Sequence, residues 1–181
     1  MMEIVASGST VTICLLKREG NKIQVHAANV GDTRAVLFKS SDESITRITR
    51  DHRADDPEEK SRIEKAGGFV LRNRVLGILS VTRSLGDQCM KEFVIARPYT
   101  ASFEIDLSTS DSGLNSRSSH DKNKCISDNF LMIACDGVWD VIEDDEVVGI
   151  ISNSKAEKKA IAQTFCDEAL KRESTDNITA L

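Results

Sequence analysis

The feature that most constrains this chain is a short apolar run that leads into an Asp-Gly turn. The five apolar residues 130–134 are too few to cross a membrane, and they suit a strand buried on both faces. Asp136 therefore lies where this strand ends, and Gly137 allows the backbone to turn sharply. Asp140 follows four residues after Asp136, so the two carboxylates converge if the chain coils there.

Two interpretations of this acidic pair remain open from the stretch alone. Neighbouring carboxylates repel each other unless a positive charge lies between them. Mg²⁺ is typically held by one or two carboxylates together with water, so a hard divalent cation would explain Asp136 and Asp140. Alternatively, the two acids are solvated side chains at the end of a strand.

Size and charge narrow the class of protein. A chain of 181 residues with 40% hydrophobic content suits a single domain, 1–181, with a real core. The net charge of -5 argues against a nucleic-acid partner, which requires a clustered basic surface. Residues 1–8 contain neither a basic region nor a long apolar run, so we expect no signal peptide and no membrane span.

The cysteines indicate a reducing compartment. They are five in number, widely spaced and without a C-x-x-C pair, which is typical of free thiols in a cytoplasmic or nuclear protein. The three histidines are not spaced as ligands relative to any cysteine, which argues against zinc.

Alternation and turn residues predict mostly strands in the first half of the chain. Residues 9–17 and 22–29 form a predicted hairpin that continues, after a turn holding Asp32, into a strand at 35–38 of an antiparallel meander. Without further context, Asp32, next to Arg34, is typical of an aspartate that caps its own turn. The remaining predictions are strands at 45–49, 69–71 and 100–107, an apolar element at 75–79, a short helix or turn at 82–87, and a flexible surface insertion at about 108–128.

Three helices are predicted. Asp56 suits an N-cap, Pro57 the first helical position and Glu59 the acid of a capping box, and this helix ends at Gly67-Gly68. Acidic residues 143–146 open a second helix, and residues 156–171 carry one apolar stripe.

Taken together, these segments resemble, in order, the metal-dependent protein serine/threonine phosphatases of type 2C. The resemblance covers nearly the whole chain except the 108–128 insertion. Its motifs are Ser7-Gly8-Ser9-Thr10, Val30-Gly31-Asp32-Thr33-Arg34, Asp51-His52, Ala66-Gly67-Gly68, Thr82-Arg83-Ser84-Leu85-Gly86-Asp87, Ala134-Cys135-Asp136-Gly137-Val138-Trp139-Asp140 and Asp176-Asn177-Ile178-Thr179.

The resemblance implies an α+β fold of two stacked antiparallel β-sheets flanked by helices, with Mg²⁺ or Mn²⁺ at one end. Asp136 resembles the carboxylate that bridges two catalytic metals, and Asp176 resembles a second ligand of one of them. Asp32 and Asp140 resemble the residues that hold, with Asp136, a weaker third metal. Trp139 is interpreted as a packing residue beneath the turn.

The implied activity is hydrolysis of phosphoserine and phosphothreonine in phosphoprotein substrates. Two hard cations can share a water, lower its pKa to about 7 and orient the phosphoryl group. No Ser, Cys or His stands in an obvious nucleophilic arrangement, which agrees with attack by water.

One departure from the family pattern changes the expected activity. The family carries an Asp-Gly-His-Gly-Gly motif and a phosphate-binding arginine ahead of the Ser-Gly-Ser-Thr strand, whereas Asp136-Gly137 is the single Asp-Gly pair of this chain. The sequence thus resembles the later portion of the domain, incomplete at both ends. We expect little phosphatase activity from this chain by itself, because losses of this kind cost roughly 10²–10³-fold in rate.

Two other functions are compatible with part of this pattern. A non-catalytic relative could use the same fold as a regulatory or binding module. The retained acids favour the enzyme, whereas the absent Asp-Gly-His-Gly-Gly motif favours the module. A phosphatase with an aspartyl nucleophile needs a second Asp two residues after the first, and position 138 is Val. The oligomeric state is not predicted by the sequence.

Overall fold

The computed structural model describes residues 7–40, 44–107, 129–153 and 161–181, and it has an α+β fold of antiparallel sheets and helices. The strands are β1 Gly8–Ser9, β2 Val11–Glu19, β3 Lys22–Val30, β4 Arg34–Lys39, β5 Ser44–Arg47, β6 Val70–Leu71, β7 Arg74–Val75, β8 Leu85–Gly86, β9 Tyr99–Asp106 and β10 Phe130–Ala134. The helices are α1 Pro57–Lys65, α2 Asp136–Trp139, α3 Glu146–Asn153 and α4 Ile161–Lys171, with a 3₁₀ helix at Gln88–Met90.

The chain groups into two compact units. The first takes its described residues from 1–13, 28–33 and 49–100, and the second takes them from 14–27, 34–48 and 101–181. The prediction of one domain over 1–181 stays a prediction.

Most residues of the two stacked sheets belong to the second unit. One sheet has the strand order β2-β3-β9 and the other β10-β4-β5, in which both pairings of β4 are antiparallel. Val25 of β3, Leu37 of β4 and Ile105 of β9 belong to one buried cluster, so the facing sides of the two sheets share a core. Side chains alternate between the two faces of a strand, so Val36, which precedes Leu37 in β4, faces the other way.

That opposite face of β4 and β10 is covered by helices. Val36 and Met132 belong to a second buried cluster. The helix side of this cluster consists of Val138 and Trp139 of α2, Val147 of α3, and Phe165 and Ala169 of α4. Strand β4 is therefore covered on both faces, as its apolar sequence requires.

The predicted meander is wrong in one respect. Strands β2 and β3 form the expected hairpin, but β4 does not extend that sheet. It pairs with β5 and β10 instead. The reason is that Ala35 to Phe38 are all buried, which places β4 in the middle of a sheet with apolar partners on both sides.

The first unit is built around helix α1. Asp56 is the N-cap and its side chain accepts a hydrogen bond from the Glu58 N–H at 2.8 Å, as predicted. Ile63 is fully buried and packs in one cluster with Ala54, Val75 and Val94. This cluster is a core of its own, distinct from the two clusters of the second unit.

The prediction of a short helix or turn at 82–87 is wrong. Arg83 forms a bridge with Ile95, and Leu85–Gly86 pairs with β1. Gly86 has φ 83°, which no right-handed helix accommodates. The apolar element at 75–79 is also mostly turn, with Leu76 at φ 52° and Gly77 at φ 74°.

Two sequence predictions fall wholly or partly on residues outside the described ranges. The 108–128 insertion lies outside it, as does the start of the helix expected from residue 156. Among the helices that the structure does describe, none combines the length and the apolar character that a membrane crossing needs.

Candidate metal centre

The end of β10 coils as the sequence predicts. Cys135 is extended, with φ -81° and ψ 174°, and Asp136 opens the helical turn α2. The Asp136 Oδ1 accepts a hydrogen bond from the Gly137 N–H at 2.9 Å, and the Asp140 N–H donates to the Asp136 carbonyl oxygen at 2.8 Å. Asp136 and Asp140 therefore lie one helical turn apart at the end of a buried strand.

Trp139 anchors this turn to the sheet. Its side chain is buried, and its indole N–H donates to the carbonyl oxygens of Ala134 at 2.9 Å and Arg34 at 3.2 Å. The Arg34 guanidinium lies 5.0 Å from the centre of the indole ring and forms an ion pair with Asp144 at 2.6 Å. The interpretation of Trp139 as a packing residue is confirmed.

The C-terminal segment, residues 172–181, lies against the same turn. The Ser174 hydroxyl donates to the Gly137 carbonyl oxygen at 2.6 Å. The Cys135 N–H donates to the Thr179 carbonyl oxygen at 3.2 Å, and Ile133 and Leu181 exchange two backbone hydrogen bonds. The segment thus runs antiparallel to the end of β10.

Gly137 is the point of closest approach. A Cβ atom at this position would overlap the carbonyl oxygen of Asn177 and would lie 3.5 Å from the Cβ of Asp176. Only glycine permits this approach, since every other residue carries a Cβ. The structure therefore brings Asp136, Asp140 and Asp176 onto two adjoining stretches of backbone, although they are up to 40 residues apart in sequence.

Asp32 belongs to the first unit. It is 3% exposed, and its Oδ2 lies 4.0 Å from the Arg53 Nε. Its assignment to a third metal, with Asp136 and Asp140, stays a prediction, as do the roles of Asp136 and Asp176. Within the ranges that the structure describes, no three His, Cys, Asp or Glu side chains are grouped so as to hold a metal ion.

His52 was not among the predicted site residues, yet it fixes the turn that carries Asp32. It is fully buried, and its Nδ1 accepts a hydrogen bond from the Gly31 N–H at 3.1 Å. Burial, helped by the positive charge of Arg83, lowers the pKa of His52 to about 4, so the ring is neutral at pH 7. A neutral ring that accepts at Nδ1 carries its proton on Nε2. The Asp51-His52 pair was the available signal in the sequence.

Glu59 is not the capping-box acid that its position predicts. Its side chain is buried and accepts hydrogen bonds from Arg83, Arg62 at 3.0 Å and Thr82 at 2.7 Å. Burial by itself would raise the pKa of Glu59, but these donors outweigh it and lower the pKa to about 2. Arg83 is thus an internal ion-pair partner and not a surface one.

Asp87 is also internal. It is 7% exposed, and the Ser84 hydroxyl donates to its carboxylate at 2.5 Å. Asp87 is therefore held in the interior by the hydrogen bond from Ser84.

Several solved structures share this architecture. The chain is similar to a phosphatase from a pathogenic strain of Toxoplasma gondii, with a TM-score of 0.67, 26% identity, and coverage of 97% of this chain and 62% of that one. It also superposes on a C. elegans sex determining protein with a TM-score of 0.75 over 99% of this chain and 40% of that one, where 24% identity shows the fold alone. Fold and acidic turn thus define a phosphatase-like α+β sandwich.

Sequence comparison identifies the family. The family model described as Protein phosphatase 2C matches residues 1–112 and 118–178. Protein phosphatase 2C homolog 1 of Saccharomyces cerevisiae is 36% identical over 97% of this chain and 59% of its own length, and probable protein phosphatase 2C 59 of Oryza sativa subsp. japonica is 37% identical over 97% and 46%. The chain belongs to the protein phosphatase 2C family, and it spans about half the length of the curated relatives that it matches.

Proposed function

We propose that this chain forms the later part of the catalytic domain of a Mg²⁺- or Mn²⁺-dependent protein phosphatase that hydrolyses phosphoserine and phosphothreonine. The observation that carries the proposal is the contact between the Asp136 turn and the Asp176 segment at Gly137. Two acids on adjoining stretches of backbone are favourable only if a cation or solvent separates their charges. Membership of the protein phosphatase 2C family supports the same reading.

The donor chemistry fits a hard cation, but the described ligand set is partial. Asp136 and Asp176 would hold a metal through carboxylate oxygens, which Mg²⁺ and Mn²⁺ prefer. Asp140 and Asp32 would contribute to a weaker site. When bound, such ions would supply a water of lowered pKa and would polarise the phosphoryl oxygen of the substrate.

The chain's own residues hold these ligands in place. Trp139 fixes the turn to β4 and β10 through its indole N–H, so the backbone of Asp136 is set by the sheet. Gly137 admits the Asn177 carbonyl oxygen, so the backbone that follows Asp136 lies against the backbone that follows Asp176. We infer that a longer protein including this chain supplies the remaining metal ligands and the phosphate-binding arginine.

Metal binding tests the ligand assignment directly. Calorimetric titration of the chain with Mn²⁺ should show binding that Asp136→Asn weakens at least tenfold, since the substitution removes a carboxylate charge. The matched control is Asp167→Asn, an exposed acid on α4 whose carboxylate bonds Gln163. Equal Mn²⁺ affinity of wild type and Asp136→Asn would show that Asp136 is not a ligand.

A turnover measurement tests whether ligands outside this chain are needed for activity. With Mn²⁺ and p-nitrophenyl phosphate, the chain should be at least roughly 10²-fold slower than a full-length family member, because part of the charge stabilisation is missing. A rate comparable to that of the full-length enzyme would contradict the proposal that ligands outside this chain are needed.

A non-catalytic regulatory or binding module is the second candidate. The observation that favours it is that the described residues contain no group of three metal-ligating side chains. The coding sequence upstream of Met1 discriminates between the two, because an Asp-Gly-His-Gly-Gly motif there restores the enzyme.

A further inference from the structure

We propose that Ser174 is a positioning residue that holds Asp176 against the Asp136 turn and thereby sets metal affinity. The inference rests on the proposed function and adds a residue to it. Ser174 is two residues from Asp176, and its hydroxyl donates a 2.6 Å hydrogen bond to the Gly137 carbonyl oxygen, one residue after Asp136. It therefore ties together the two stretches that carry the proposed ligands.

This hydrogen bond is one of several contacts between residues 133–141 and the C-terminal segment. At one end the Arg172 guanidinium donates to the Val141 carbonyl oxygen at 2.9 Å. At the other end Ile133 and Leu181 are paired through their backbones. The hydrogen bond between Ser174 and Gly137 lies between these two contacts.

Cys135 makes the neighbouring side-chain contact. Its thiol donates to the Asn177 carbonyl oxygen at 3.1 Å and accepts from the Thr179 N–H at 3.2 Å. Thiols are weak donors and weak acceptors, so the shorter hydroxyl bond of Ser174 is the stronger side-chain link. In the sequence, Asp176 lies between Ser174 and Asn177, the two residues that make these contacts.

The backbone conformation at the end of helix α4 directs Ser174 towards the Asp136 turn. Glu173 is left-handed with φ 62°, the Glu173 N–H donates to the Leu170 carbonyl oxygen, and the Ser174 N–H donates to that of Ala169. This is the Schellman pattern of a helix C-terminus, which sharply redirects the chain. A non-glycine residue in this region is uncommon and persists only where surrounding contacts hold it.

The experiment compares Ser174→Ala, Ser174→Thr and Ser102→Ala in the chain. Ser102→Ala is the matched control. Ser102 lies on β9, outside the Asp136 turn, and its hydroxyl is hydrogen-bonded to the His26 Nδ1 at 2.8 Å. Two readouts are taken: amide hydrogen exchange of residues 176–181, and Mn²⁺ affinity. Thr retains the hydroxyl and should restore both.

We expect Ser174→Ala to speed exchange at 176–181 and to weaken Mn²⁺ binding roughly tenfold or more, as loss of a partner that orients a ligand does. Ser102→Ala should change neither. If Asp136→Asn weakens Mn²⁺ binding but Ser174→Ala does not, the positioning role is wrong and the metal centre stands. If Asp136→Asn leaves the affinity unchanged, the proposed function fails, and the positioning role fails with it.

Discussion

Two glycines, at positions 137 and 149, show how differently a single missing Cβ can act in one fold. Gly137 faces the Asn177 carbonyl oxygen so closely that a methyl group has no room. Gly149 lies within α3, and a Cβ there would meet nothing within 4 Å. The first is a contact requirement of the candidate centre, whereas the second is open to substitution.

We therefore predict opposite effects for alanine at the two sites. Gly137→Ala should destabilise the protein by about 1–3 kcal/mol through overpacking and should weaken Mn²⁺ binding by separating Asp136 from Asp176. Gly149→Ala should stabilise it by up to about 1 kcal/mol, because alanine is the better helix former. Urea unfolding followed by circular dichroism measures both, and a neutral Gly137→Ala would show that the two stretches can part without cost.

Glu59 leads to a prediction about pH. The folded protein holds its pKa at about 2, below the ordinary 4.5, so the ionised form stabilises the fold. This stability is fully present above about pH 4.5 and is lost as the pH falls towards 2, because the unfolded chain takes up the proton first. A shift of this size corresponds to about 3 kcal/mol.

Glu59→Gln should cost about 3–5 kcal/mol at pH 7, since it leaves Arg83 and Arg62 without their carboxylate. The difference between wild type and variant should shrink as the pH is lowered from 5 to 3. Glu58→Gln is the neighbouring control, because the Glu58 side chain is 77% exposed and its ion pair with Arg50 contributes little. Unfolding free energies that fall in parallel for wild type and Glu59→Gln would contradict this account.

At the scale of elements, the helical turn α2 shows which parts of the fold can be predicted from the sequence. The apolar run, the Asp-Gly pair and the i,i+4 spacing of Asp136 and Asp140 are local, and β10 and the turn were predicted from them. The partners of β4 could not be predicted in this way. Its apolar residues indicate a central position in a sheet, but not which strands lie beside it. Glu59 was misread for a related reason: its position suits a cap, but its side chain bonds Arg83, 24 residues away.

The turn also depends on one anchor, which can be removed selectively. Trp139→Phe keeps an aromatic ring but loses the indole donor to Ala134 and Arg34. We expect a loss of about 1–3 kcal/mol, because two buried carbonyl oxygens lose a partner. Thermal unfolding followed by circular dichroism is the suitable measurement. An unchanged midpoint would show that the ring's packing, and not its N–H, holds the turn.

At the scale of the whole molecule, the family resemblance supplied what local patterns could not. Asp136 and Asp176 are 40 residues apart, so no periodicity could place them together, and only the ordered motifs implied it. The α+β sandwich is confirmed by the fold and by its relatives. The metal roles of Asp32, Asp136, Asp140 and Asp176 stay predictions, because carboxylates reveal a ligand role only through the ion that they hold.

Trp139 is the single tryptophan of the chain, and it lies one residue before Asp140 and three after Asp136. Its indole is buried against the backbone that carries both acids. The protein therefore contains an intrinsic fluorophore at its candidate centre. Any event that loosens the turn changes the emission of Trp139, and no other tryptophan contributes to the signal.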